Sequence, residues 1–367
     1  MKKLLLNLLA LSALLFANSD DTCKRCHSTI YSEFHNSMHK KSSPKNDKIH
    51  NSIWNLHPAK AKDDYKCAKC HTPNVETKKQ RDEGISCISC HTINNVEEHS
   101  KANKNIYSTK EKTFFSAQKG MEDKKVTYKQ ESSFFGMMKT STGSPYHDID
   151  YTNKDYYTGK MCMGCHSHKQ NAHKFEVCTT DASGAKDKEK NCITCHMPQV
   201  AGTATSIRES KTHAFHGFAG ARNNPEMLAK YIKLDFKKLD NSFEVSVKNE
   251  APHNLMTHPL RVVQLRVELK RDSKVETLKT HSFVKILGNE GKPAMPWLAT
   301  EIFKDNMIKG NESRVVKFDK ELKSGDQIEV KLGFFVVNPK VVKKLGLQDD
   351  KEITKFTTLK SKWFTVK

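Results

Sequence analysis

Ten of the 11 cysteines stand in five copies of one short pattern, Cys-x-x-Cys-His. The copies are Cys23-Lys24-Arg25-Cys26-His27, Cys67-Ala68-Lys69-Cys70-His71, Cys87-Ile88-Ser89-Cys90-His91, Cys162-Met163-Gly164-Cys165-His166 and Cys192-Ile193-Thr194-Cys195-His196. At this composition, chance supplies about 0.016 copies of a pattern that reads as c-type haem attachment. Two thiols three residues apart reach the two vinyl groups along one porphyrin edge. The imidazole that follows turns under the iron as its proximal ligand. Zinc sites also use Cys-x-x-Cys pairs, but they need further ligands to make four and no histidine directly after each pair. A thioredoxin-like redox pair comes singly, and a disulfide framework does not repeat one local spacing five times. The expectation is five covalently attached haem c groups. Cys23, Cys26, Cys67, Cys70, Cys87, Cys90, Cys162, Cys165, Cys192 and Cys195 anchor them, and His27, His71, His91, His166 and His196 bind iron.

The 18 histidines, less these five, leave 13 for five distal positions. Bis-histidine ligation fills the sixth position and suits iron to moving electrons, whereas methionine raises the potential. Met38, Met161, Met163, Met197 and Met256 lie near these motifs, but methionine more often fills gaps in packing. Histidine is expected on most irons.

Several segments resemble multihaem cytochromes of the nitrifier tetrahaem family. CKRCHSTIYSEFHNSMH (23–39) looks like that family's opening, and the resemblance makes His39 a distal ligand. GISCISCHT (84–92) matches a further haem unit. SPYHDIDYTNKDYYTGKMCMGCH (144–166) implies His147 as a second distal ligand. NCITCHMP (191–198) is similar to the last attachment site. THAFHGFAG (212–220) points to His213, with His216 as a close rival. VKNEAPHNLMTHPLR (247–261) resembles the segment that follows the haem region in such proteins. It offers His253 as a ligand reaching back, with Pro252 and Met256 standing where Gly and Pro are usual. His57 and His99 are the candidates for what remains. Five haems instead of four mean that the family's wiring does not carry over whole.

The elements that must position these groups divide into two kinds. Mean hydropathy is −0.69 and only 36% of residues are hydrophobic, and residues 20–220 are the poorest part. Large flat porphyrins can supply the missing core there, wrapped by short helices and loops. Haems at Cys67/Cys70 and Cys87/Cys90 are joined only by residues 71–86, so they must lie close. After about Gly220 the cysteines stop and period-two alternation begins, which argues for strands with one buried face. SFEVSVK, VVQLRVEL, SRVVKF, IEVKLGFF and KWFTVK all read this way, and NPEMLAKYI (224–232) reads as a short helix. The expected fold is α+β, a haem-packed multihaem cytochrome domain over 18–220 followed by a β-sandwich domain over 221–367.

Residues 1–17 read as a cleaved signal peptide: two lysines, an apolar run from Leu4 to Phe16, then small residues. The run is short for a membrane span, though an uncleaved anchor is the competing reading. No integral membrane segment is expected after cleavage, and the expected compartment is the periplasm. Loss of Lys2 and Lys3 takes the formal charge from +20 to +18. For an exported chain this basic surface argues for acidic redox partners or an anionic surface over nucleic acid. A lysine-rich source accounts for it equally well. The partners expected are redox proteins, a quinol-linked donor or a terminal reductase. Electron transfer is favoured over catalysis, because every pair is followed by His. The alternatives are a reductase of nitrite, hydroxylamine or sulfite at one open haem, with Tyr146, His147, Tyr156 and Tyr157 as a candidate pocket, and a redox-sensing module. Cys178 is the cysteine outside the pattern, read as a small hydrophobe, an intermolecular thiol or a ligand.

Overall fold

The computed structural model describes residues 20–367 except 74–77, 134–137, 181–186 and 188. The expected signal peptide lies outside the described residues.

Each Cys-x-x-Cys-His unit is a single helical turn. His27 N donates to Cys23 O at 2.9 Å, and His71 N donates to Cys67 O at 3.0 Å. The other three units form the short helices Cys87–His91, Met163–His166 and Cys192–His196. One turn brings residues three and four apart to the same face, which puts both sulfurs and the imidazole on one side. The residue before the motif fixes where the turn starts. Ser86 and Asn191 each close a reciprocal cap with Ser89 and Thr194, satisfying backbone donors that a four- or five-residue helix cannot satisfy itself. The longer helices are Ser28–Asn36 and Lys48–Leu56, the second capped by the Asp47 carboxylate on Ile49 N.

Between the attachment turns the chain forms five small sheets among the described residues, such as Ile93–Glu97 with Lys104–Tyr107 and Gln199–Ala201 with Thr212–Ala214. Helices and loops alone were expected here. Strands of two to five residues are too short to show a period, so the sequence hid them.

From Ile232 onward the chain is mainly antiparallel sheet. A three-stranded sheet runs in the order Ile232–Lys238, Phe243–Asn249, Ser313–Phe318. A seven-stranded sheet runs Lys292–Pro293, His281–Asn289, Val262–Arg271, Gln327–Phe335, Thr357–Thr365, with Lys274–Thr277 and Glu301–Asp305 pairing alongside. The inward faces meet in one core. Phe243, Val245 and Val247 from the first sheet pack with Leu265, Val267, Ile328, Val330 and Leu332 from the second, all fully buried. Alternate residues of Phe243–Asn249 are buried along its whole length, the period-two pattern read from the sequence. The stretch expected as a helix over 224–232 is a 3-10 helix, Pro225–Tyr231, opened by its proline.

Two seams join this β-rich part to the attachment turns. Ile49, on helix Lys48–Leu56, enters a cluster with Val337, Val342, Leu345, Leu347 and Ile353, and Lys48 pairs with Asp350 at 2.6 Å. At the other seam the Asn171 amide donates to the carbonyls of Pro296 and Ala299 at 2.9 and 2.6 Å, beside Val177, Leu287 and Ala299. Among the described residues no helix is long and apolar enough to cross a membrane.

Candidate haem sites

The spacing of the histidine rings tests whether this chain fits haem iron. A metal–imidazole bond is about 2 Å and the nitrogen lies about 1.1 Å from its ring centre, so two axial rings sit about 6.2 Å apart. Three proximal histidines face a second ring at that distance and nearly parallel to it. His27 faces His147 at 6.2 Å and 30°, His91 faces His216 at 6.2 Å and 17°, and His196 faces His253 at 6.1 Å and 18°. His166 faces His39 at 5.8 Å with the rings crossed at 72°. The two rings of each pair come from distant parts of the chain.

The other ring nitrogens are held in place. His27, His91 and His196 set Nδ1 on the carbonyl oxygens of Ala204, Phe115 and Ala219 at 2.9, 2.7 and 2.6 Å. Since a carbonyl only accepts, Nδ1 carries the proton and Nε2 keeps its lone pair for a metal. Burial pushes His39 and His71 down to about 3 and His216 down to about 4. They therefore remain the neutral imidazoles that a metal requires.

His71 is different. Its near neighbour is His50, with ring centres 4.3 Å apart, too close for an iron between them. Among the described residues no second ring stands at axial distance from His71.

The sulfurs show how the attachment turns are arranged. The thiols of Cys23 and Cys87, of Cys70 and Cys165, and of Cys162 and Cys192 lie close enough to act on one another. These atoms would carry the thioether bonds of the attached haems. The turn at Cys162–Cys165 touches two others.

Residues 22–92, which include three of the five motifs, match the family model described as cytochrome c554 and c-prime. The matched segment is that of a c-type cytochrome family. The fold of this chain is similar to that of a penta-heme cytochrome c552 from Thermochromatium tepidum. The TM-score is 0.71 with 21% identity, over 95% of this chain and 98% of that one. A superoxide reductase in the oxidised state aligns with 37% of this chain and 86% of its own at 8% identity and a TM-score of 0.20, too low for any shared fold. Curated protein sequences give no match.

Other residues singled out in the sequence sit elsewhere. His213, the first choice in THAFHGFAG, has both nitrogens engaged, Nδ1 with Gly202 O at 3.0 Å and Nε2 with the Glu33 carboxylate at 2.9 Å. The ring that faces His91 is His216, three residues on. His57 lies between Trp54 and Trp297 and accepts from Ala59 N, facing no proximal ring. His99 accepts from Lys101 N. The tyrosines suggested as a pocket around His147 do not converge. Tyr146 is exposed, Tyr156 donates to Cys90 O, and Tyr157 donates to Tyr151 O. Cys178 is exposed, on the strand Glu176–Thr179. By sequence alone His50 reads as a surface or supporting histidine. Only the fold brings it against His71, because a loop separates helix Lys48–Leu56 from Cys67.

Proposed function

We propose that this protein is an exported, periplasmic pentahaem cytochrome that relays electrons between respiratory redox partners. In this reading the signal peptide is cleaved near Ala17, and residues 18–220 form the haem domain on a β-sandwich of 221–367. Four haems carry two histidines each: His27 with His147, His91 with His216, His166 with His39, and His196 with His253. The observation that carries the reading is these four ring pairs at axial spacing. Iron with both axial positions filled exchanges electrons without binding substrate. The sulfur contacts support a grouping in which the haem at Cys162/Cys165 lies next to those at Cys70 and Cys192, and the haem at Cys23 next to that at Cys87. The lysine-rich surface favours acidic partners and steers them at long range.

The fifth haem, on His71, supports a second reading. With His50 on the proximal side and no second ring at axial spacing among the described residues, this iron keeps an open position. It is where a small nitrogen or sulfur compound such as nitrite, hydroxylamine or sulfite would be reduced, with the other four haems as feeders.

Electron paramagnetic resonance of the air-oxidised, haem-loaded protein separates the two. One high-spin haem in five that shifts on adding nitrite, hydroxylamine or sulfite identifies a reductase. Five low-spin haems make it a carrier alone.

A further inference from the structure

The carbonyl of Ser42 serves two imidazoles. It lies 3.1 Å from His71 Nδ1 and 2.7 Å from His50 Nδ1. Because that oxygen only accepts, both rings donate to it. His50 Nε2 is then an acceptor, and Tyr65 Oη, 3.1 Å away, donates to it. Ser42 itself is fixed, its hydroxyl donating to His71 O at 2.5 Å and accepting from Ile85 N at 3.2 Å. The other proximal histidines with a carbonyl on Nδ1 sit at 2.6 to 2.9 Å from it. His71 has the longest such bond, and a nearer competitor holds the same oxygen.

We propose that His50 is a positioning residue for the haem on His71: by taking the shared Ser42 carbonyl it weakens the His71 N–H···O bond and raises that haem's reduction potential. This rests on the assignment of a haem to His71. The N–H···O bond of a metal-bound imidazole orients the ring and raises its basicity as a ligand. A weaker bond makes a poorer donor and favours reduced iron over oxidised. Tyr65 adds to the effect, since donation to His50 Nε2 strengthens the donor at the far side of the same ring. The consequence is an electron sink at the haem on His71, which has no second ring at axial spacing among the described residues.

The test uses the full haem-loaded protein and a redox titration followed optically and by paramagnetic resonance. His50→Phe fills the space without an N–H. One component of five then moves to lower potential, the ratio of oxidised to reduced haem rising about tenfold at fixed potential, which is about 59 mV. The iron–histidine stretching band of the reduced open haem moves to higher frequency. His50→Asn places an amide N–H where Nδ1 lies and stays within a factor of two of wild type. Tyr65→Phe moves the same component the same way, by less. An unchanged titration in His50→Phe overturns the inference, as does an equal shift in His50→Asn, since packing alone would then explain it. If His50→Phe does not incorporate haem, Tyr65→Phe decides by the same component. Absence of high-spin haem in the wild type would sink the open-haem reading, and the titration would still decide this one.

Discussion

The choice between His213 and His216 gives a sharp test, because the two rings are three residues apart and have opposite surroundings. His216 faces His91 at 6.2 Å, so His216→Ala removes an axial ligand. One haem in five becomes high-spin in the oxidised protein, and its potential moves away from the bis-histidine range. His213→Ala has a different effect. Its two ring nitrogens lie against oxygen partners, a carbonyl and a carboxylate. The pair is enclosed, His213 at 2% and Glu33 at 17% side-chain exposure. Removing one partner of a buried ion pair costs about 3–5 kcal/mol. Glu33 keeps only His216 N, held by its second oxygen at 2.8 Å, so the loss falls near the lower figure. The assay is the integrated high-spin resonance per haem, alongside a urea titration of the same samples. His213→Ala is expected to keep all low-spin signals and lose about 3 kcal/mol. A new high-spin haem in His213→Ala, with none in His216→Ala, would refute the ring-spacing argument for all four pairs.

Further expectations concern both parts of the chain. Gly84 has φ +80°, and a Cβ there would lie 2.3 Å from Lys40 O. Gly84→Ala therefore combines a left-handed backbone, about 1–2 kcal/mol, with a backbone clash, and thermal unfolding should drop sharply. In the β-rich part Asp326 accepts from Arg271 Nε and Nη2 at 2.8 and 2.7 Å and from Lys323 N at 2.8 Å. Arg271 foremost holds its carboxyl below the ordinary range. A folded value below the unfolded one means the contribution is present above the unfolded pKa and is lost as pH falls through the folded value. Asp326→Asn should cost about 2 kcal/mol at pH 7, and the difference should shrink as the pH falls through the folded value, read by urea titration across that range. Phe243→Ala, in the centre of the sandwich, should cost about 3–5 kcal/mol with the haem spectrum unchanged. A haem-free preparation should be cleaved by protease across 20–220.

Much of this arrangement was legible in the residues. Five identical spacings named the cofactor, and alternation placed Phe243–Asn249, Val262–Arg271 and Gln327–Phe335, because a strand with one buried face writes its period into the chain. The axial partners were legible only where the surrounding sequence was distinctive. His39, His147 and His253 were anticipated from resemblance and stand at axial spacing, while His213 was preferred over His216. The reason is physical: on an irregular segment, ring direction depends on backbone turns such as Phe218 at φ 56°, which composition does not encode. The cluster of Ile49 with Val337 to Ile353 was invisible for another reason. It joins residues some 300 apart, each of which alone is an ordinary apolar residue.

That distant packing constrains the order in which the molecule is made. His253 follows the strand Phe243–Asn249 and comes to rest opposite His196, and the segment Pro339–Ile353 closes over helix Lys48–Leu56. In the folded chain the ring of His253 stands 6.1 Å from that of His196, so attachment at Cys192 and Cys195 before the downstream chain closes would not meet that ring. A sandwich that folded too quickly would trap an unmodified thiol pair. Strand pairing between distant segments, such as Val262–Arg271 on Gln327–Phe335, is slow.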